Sequence, residues 1–349
     1  MIHENIELYN TAETFSSATG GIGIQRVPEA IRRELNPVAQ MRVRQPENCE
    51  IRFVSDSLES SVTLSSEGVA DVTVFYGSFD GQDRYTIGQQ PTTIPLQPPK
   101  RLQQLKQRWW RDHAFSPHVR RLIFGGRNRD PMIFHKVTDE GIRPPTAQEL
   151  PKLRYLSYGT SITQGFDSAG PHLSNVAQTA HHLQADLINL GVGGSCHCER
   201  AFADHIAKRT DWDIATLELS VNMQQFSLEE FQQRTKTLIY EVAKSQPNKI
   251  IACITLFPYL RDFSPDNIDE TFGGRPEDFR QIIRDAVEAC PYPHVHLIEG
   301  DSLLTNIGGL TGDLIHPSDH AMIEIGINLA ARLRSFLTKG HEFTLPRKL

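Results

Sequence analysis

The chain reads as two architectures in succession: an all-β sandwich of the jelly-roll type over residues 1–148, then an α/β/α sandwich built on a parallel sheet over residues 149–349. Three observations predict this. Before about residue 145 the apolar residues alternate along short segments, and after it they form runs separated by amphipathic stretches. Pro144 and Pro145, with Pro151 close behind, punctuate the changeover. Beyond that point the order strand, helix recurs five times, the pattern of a parallel sheet covered on both faces.

In the first half, EIRFVSDS from Glu50, SVTLS from Ser61 and DVTVFYGS from Asp71 are rich in β-branched residues. Ser, Gly and Asp separate them, so they read as strands. VRRLIFGG from Val119 and PMIFHKV from Pro131 continue the series. VPEAIRREL from Val27 is the best helical signal. Residues 95–117 are proline-flanked, carry Trp109 and Trp110, and read as a long connection with a helical piece. Adjacent tryptophans on one strand face opposite sides. One ring would then be free to stack on a sugar, although burial between the halves is the more economical expectation.

The second half alternates in order. LRYLSY from Leu153, DLINLGV from Asp186, DIATLELS from Asp213, KIIACITLF from Lys249 and HVHLIEG from His294 are the strands. Between them, LSNVAQTAHHLQ from Leu173 and CERAFADHIAKR from Cys198 have helical periodicity. A third helix opens at Ser227 with a capping box completed by Glu230, and a fourth at Pro276. The closing helix runs from Pro317 to Leu337.

Composition excludes several function classes. A net charge of −6 with 22% charged residues offers no clustered basic face for nucleic acid. No window approaches the apolar length of a membrane span. MIHENIELYN has no basic start followed by an apolar run. Five cysteines are too few and too scattered for a disulfide framework. The expectation is a soluble, reduced, cytoplasmic protein whose oligomeric state the sequence leaves open.

In parallel sheets, sites lie at the carboxyl ends of the strands. Ser161 follows the first strand of the second half, in YGTSITQG. Gly191, Gly193 and Gly194 follow the second, in NLGVGGS, and Asn222 follows the third, in LELSVNM. Asp313 and His316 stand in GDLIHPSDH, before the closing helix. These are the residue types that an activated serine needs: a base, a group to orient it, and donors for an oxyanion. Each also has a plainer reading, as helix cap, loop ion pair or turn glycine.

The four blocks in this order resemble the SGNH, or GDSL-type, hydrolases over residues 153–337. The resemblance implies a flavodoxin-like fold. It also implies Ser161 as nucleophile, His316 as base and Asp313 as its orienter. The implied oxyanion donors are the Ser161 and Gly194 N–H groups and the Asn222 amide. Thr160, Ser220 and Met223 stand where the family has Asp, Gly and Asp; these departures alter the surroundings of the site. A β domain ahead of such a hydrolase also resembles carbohydrate esterases that remove acetyl groups. The implied substrate is therefore a short-chain acyl ester, acetyl above all, on a carbohydrate, with no cofactor. Alternatives are a carbohydrate-binding protein with an inert hydrolase domain, and an acyltransferase using the same triad.

No metal is expected. His316 and His320 are four apart, but Pro317 between them belongs in the first turn of a helix, which leaves His316 outside it. Cys196, His197 and Cys198 lack a second ligand pair elsewhere.

Overall fold

The computed structural model describes residues 1–349 apart from 19, 58, 108, 109, 111–113, 140, 264–271 and 341–349. Twelve strands are described in the first half: β1 (Ile2–His3), β2 (Ile6–Tyr9), β3 (Glu13–Ser16), β4 (Ile22–Gln25), β5 (Glu50–Ser55), β6 (Ser60–Ser66), β7 (Ala70–Tyr76), β8 (Phe79–Ile87), β9 (Thr92–Leu96), β10 (Val119–Arg129), β11 (Met132–Thr138) and β12 (Ile142–Arg143). They form two antiparallel sheets. One has the order β1-β2-β5-β10-β7-β8, with β12 also on β5; the other is β3-β4-β11-β6-β9. Alternate residues of each strand turn inward, so Ile51 and Phe53, Val62 and Leu64, Val72 and Val74, and Leu122 and Phe124 fill one buried layer.

The five strands read from the sequence are present. The others lacked the signal. β8 is FDGQDRYTI, polar and mostly exposed. β9 carries Pro95 at the rim of its sheet, where a missing donor does little harm. The chain just before Pro144 is itself sheet, because Ile142 and Arg143 pair with Ser55 and Val54. The helical piece of the long connection is one turn, α3 (Lys100–Gln103). Trp109 lies outside the described residues. Trp110 is in a turn rather than a strand, half-buried, with its ring edge-on to His118 at 5.8 Å.

Between β4 and β5 the helix expected from Val27 is present as α1 (Glu29–Arg33), and a second, α2 (Pro37–Arg42), follows it. Asn36 starts the second, its side chain accepting from the Ala39 N–H at 3.0 Å, with Pro37 at the first helical position. Val27, Leu35, Ala39 and Val43 do not join the β layer. They are buried in the same apolar cluster as Leu156, Ile188 and Phe202 of the second half.

The second half contains β13 (Leu153–Gly159), β14 (Ala185–Asn189), β15 (Ile214–Glu218), β16 (Ile250–Ile254) and β17 (Val295–Ile298). All pairings are parallel, in the order β14-β13-β15-β16-β17. Its helices are α4 (Ser161–Gln164), α5 (Asn175–Leu183), α6 (Arg200–Lys208), α7 (Leu228–Ser245), α8 (Leu260–Phe263), α9 (Pro276–Glu288) and α10 (Asp319–Gly340). Tyr155 faces the α5 and α10 side and Leu156 the α6, α7 and α9 side, so the strands are apolar on both faces. The fold class is the one the sequence predicts, an α/β/α sandwich with a β-sandwich before it.

Two local expectations differ. Ser227 caps α7 by accepting from the Glu230 N–H, but Glu230 does not return the bond; its carboxylate takes Arg234 at 2.6 Å instead. A charged partner one turn along outcompetes a backbone N–H. Pro317 is not in the helix: it bridges to Leu310, and α10 starts at Asp319.

A buried ion cluster joins the halves. Arg52 of β5 is fully buried and grips Asp186 of β14 with two hydrogen bonds of 2.6 and 2.7 Å. Its Nε donates to Glu50 at 2.8 Å. Burial works against the Glu50 charge, yet Arg121 and Arg52 outweigh it and hold the carboxyl at about 2.

Candidate active site

The order of the sheet reverses between β13 and β15, which opens a crevice at their carboxyl ends. Ser161 stands there as the first residue of α4. Thr160 caps this turn, its side chain accepting from the Ile162 N–H. Beneath it lies Glu218, the last residue of β15. One Glu218 oxygen accepts from the Thr160 hydroxyl at 2.5 Å, the Thr160 N–H at 3.0 Å and the Thr163 hydroxyl at 3.2 Å. Burial pushes the Glu218 carboxyl up to about 7, against the pull of those hydrogen bonds.

The Ser161 Oγ lies 2.8 Å from His316 Nε2, and His316 Nδ1 lies 2.6 Å from Asp313 Oδ2. The other Asp313 oxygen accepts from the Thr311 hydroxyl and from the N–H groups of Ile315 and His316, at 2.8–2.9 Å. Burial opposes the Asp313 charge, but these bonds and the imidazole hold its carboxyl well below the usual range. An ionised carboxylate only accepts, so Nδ1 carries the proton and Nε2 of the neutral ring accepts from Ser161. The loop makes this bend through Leu314, a non-glycine at φ +57°.

The loop after β14 packs on α4. A Cβ on Gly191 would lie 2.4 Å from the Gln164 nitrogen, so the approach of the two backbones requires glycine. The Gly193 N–H is occupied, donating to Gln164 Oε1 at 2.7 Å. Gly194, at φ +72°, has open space around it; its conformation is what asks for glycine. Among the described residues neither the Ser161 nor the Gly194 N–H has a partner. Asn222 Oδ1 accepts from the Cys196 N–H at 3.2 Å, which fixes the amide and leaves its NH₂ without a partner among the described residues. The five residues to which the family resemblance assigns a role therefore stand on one edge of the sheet.

That loop is held from the other half of the molecule. Arg26, buried, donates from Nη1 to the carbonyls of Asn189 and Gly191 at 3.0 and 2.9 Å. Arg42 Nε donates to the Gly193 carbonyl at 3.0 Å, and Asn36 Nδ2 to the Ser195 carbonyl at 3.3 Å. Burial lowers the Arg26 guanidinium to about 10, so it stays charged at neutral pH. Reading the sequence missed Arg26, Asn36 and Arg42, whose contacts span some 150 residues and leave no local signal. Glu218 was missed too, although an acid inside the apolar run IATLEL is a signal, since burying one unpartnered is costly.

Asp167 is a further addition. Its Oδ2 lies 3.6 Å from His316 Nδ1. Asp167, Asp313 and His316 bring potential ligand atoms within 4.8 Å of one another. The hydrogen bond between Asp313 and His316 already accounts for that closeness, and Asp167 is half exposed. Cys196 and Cys198 are buried in the apolar cluster, and among the described residues they belong to no group of three or more potential metal ligands.

Residues 153–332 match the GDSL-like lipase/acylhydrolase family. No curated protein matches the chain. Several solved structures share the fold over both halves. A salicylyl-acyltransferase from a tetracycline biosynthetic pathway superposes with TM-score 0.69 at 13% identity, covering 95% of each chain. A GDSL-like lipase from Bacteroides ovatus gives 0.66 at 17%, covering 96% of each. A family two carbohydrate esterase from Clostridium thermocellum, solved with cellohexaose, gives 0.62 at 15%, covering 95% of this chain and 99% of that one. With the family match spanning just over half of its length, the chain belongs to the GDSL-like lipase/acylhydrolase family.

Proposed function

We propose that the protein is a serine esterase that removes a short acyl group, acetyl first of all, from a carbohydrate. The observation that carries this is the unbroken chain of hydrogen bonds from Ser161 through His316 to Asp313. In this reading the Ser161 Oγ attacks the ester carbonyl as His316 Nε2 takes its proton. Asp313 keeps the imidazole in the productive tautomer and stabilises the imidazolium. The tetrahedral oxyanion is met by the Ser161 and Gly194 N–H groups and the Asn222 amide, each worth about 3–4 kcal/mol of barrier. His316 returns the proton to the departing alcohol, and water repeats the cycle to free the acid. Residues 1–148 act here as part of the catalytic unit, since Arg26 and Arg42 hold the loop that carries Gly194.

The test is intact mass after exposure to a fluorophosphonate, on the wild type and on Ser161→Ala, followed by peptide mapping. One adduct on Ser161, absent from the variant, is expected. A folded wild type that takes no adduct would count against an activated serine. The fold shared with an acyltransferase favours one second reading, in which another hydroxyl replaces water at the acyl-enzyme. Product analysis with an added alcohol acceptor separates the two.

A further inference from the structure

A cleft of about 770 Å³ opens beside the triad, and its walls come from both halves. Asp313, Asp167, Phe166, Arg42, Arg127 and Arg129 are among its lining residues. The Phe166 ring stacks on His316 at 6.0 Å between centroids, and both the Arg129 and Arg42 guanidiniums lie over that same ring, at 4.0 and 4.9 Å. Two cations thus stand one aromatic ring away from the imidazole.

These arginines lack the acids that neutralise others in the molecule. Arg52 and Arg121 each grip carboxylates at 2.6 Å. Arg42 and Arg127 have no acidic partner among the described residues. Arg129 is nine-tenths buried, and its nearest acid is Glu47, 4.0 Å from Nε. Among the described residues its Nη1 has no hydrogen-bond partner, and Nη2 donates to the Gly126 carbonyl. Glu47 is a weak counter-ion, because burial pushes its carboxyl up to about 7. The two acids in the cleft, Asp313 and Asp167, both face His316. Burial, and then the charge of Arg129, lower the Arg42 guanidinium, so the two repel each other beside the Phe166 ring. Holding like charges partly buried and unpaired is costly, and an anion that enters relieves it.

We infer that the alcohol portion of the substrate carries a carboxylate or phosphate, held by Arg42, Arg127 and Arg129. This rests on the esterase reading above, because His316 must protonate the departing alcohol and the cleft lies on the His316 and Asp313 side. The planar guanidinium fork suits either anion. A neutral acylated sugar would leave the three charges unanswered.

The experiment compares phenyl acetate, 4-carboxyphenyl acetate and 4-phosphonooxyphenyl acetate as substrates of the full chain. Each rate is divided by the ester's spontaneous hydrolysis rate. Wild-type kcat/KM should favour at least one charged ester by about tenfold or more, with the larger of the two naming the anion. Added salt should erode that preference. Arg127→Gln, at an exposed position, and Arg42→Gln should each lower the charged-to-neutral ratio several-fold. A wild-type ratio near one, or a ratio that neither variant changes, overturns the inference. If no ester turns over and no fluorophosphonate adduct forms, the esterase reading is what fails. Calorimetric binding of the same three intact compounds then decides the anion site: tighter binding of a charged compound, weakened by Arg127→Gln, sustains it, and equal binding of all three overturns it.

Discussion

The two halves of the molecule meet the site in different ways. The parallel-sheet half brings Ser161, Asp313 and His316 together with groups that are close in sequence or on adjacent strands: Thr160 beside Ser161, Thr311 and Ile315 beside Asp313, Glu218 under the turn. The β half offers none of those atoms. It contributes Arg26, Asn36 and Arg42, each aimed at a carbonyl of the loop that presents Gly194. The first arrangement is local and keeps reacting groups within hydrogen-bond reach. The second is long-range and sets where a backbone donor points. A serine, histidine and aspartate can be aligned by a few turns of chain, whereas an exposed glycine loop needs an outside frame.

That contrast can be broken experimentally. Ser161→Ala should remove the local chemistry, lowering kcat on 4-nitrophenyl acetate roughly 10⁴-fold or more while leaving the melting temperature in place. Asn222→Ala, losing one of the proposed oxyanion donors, should cost about 10²–10³-fold in kcat with little change in KM. Arg26→Ala is the decisive case. It touches no reacting group, yet by loosening the Asn189 and Gly191 carbonyls it should lower kcat by about 10²-fold, the scale of a small misplacement. A kcat within twofold of wild type, in a folded Arg26→Ala protein, would mean that the β half does not frame the loop.

Two finer measurements sharpen the local side. Asp167 and Asp313 both approach His316 Nδ1, at 3.6 and 2.6 Å. Asp313→Asn should lower kcat by orders of magnitude, and Asp167→Asn, half exposed, by no more than about threefold. The reverse ranking would make Asp167 the orienter. The smallest effect concerns Glu218, whose folded carboxyl is raised to about 7 from an ordinary 4.5. A raised acid stays neutral in the fold while the unfolded chain ionises. The stability it contributes is therefore present below about pH 4.5 and lost as pH rises through 7. Melting temperatures of Glu218→Gln relative to wild type should climb between pH 5 and 7 and level off above. A constant difference would refute the buried titration.

Much of this arrangement is legible in the residues. The change from period two to alternating apolar runs identifies the two architectures, polar residues after the strands bring Ser161, Asn222, Asp313 and His316 forward as candidates, and the family resemblance picks Gly194 from the glycines after β14. What escapes is what periodicity does not encode. A second helix follows the one expected from Val27, started by Asn36 and Pro37, and the apolar residues around both answer to the neighbouring sheet rather than their own. β8 is polar and exposed over most of its length and is paired to β7. Arg26 and Arg42 look like any solvated arginine until the chain folds. Only Glu218, an acid in an apolar strand, carried a cue that could have been followed.

The placement of Val27, Leu35, Ala39 and Val43 among the side chains of the parallel sheet bears on ancestry and on engineering alike. A β-sandwich that merely rode ahead of a hydrolase could be exchanged for another at any seam between them. Here the contacts reach far back from the prolines into residues 26–45. A chimaera that swaps the sandwich must carry residues 26–45 with the recipient's own loop, or match both at once. Substitutions in that segment and in residues 189–195 are thus expected to be inherited as a set.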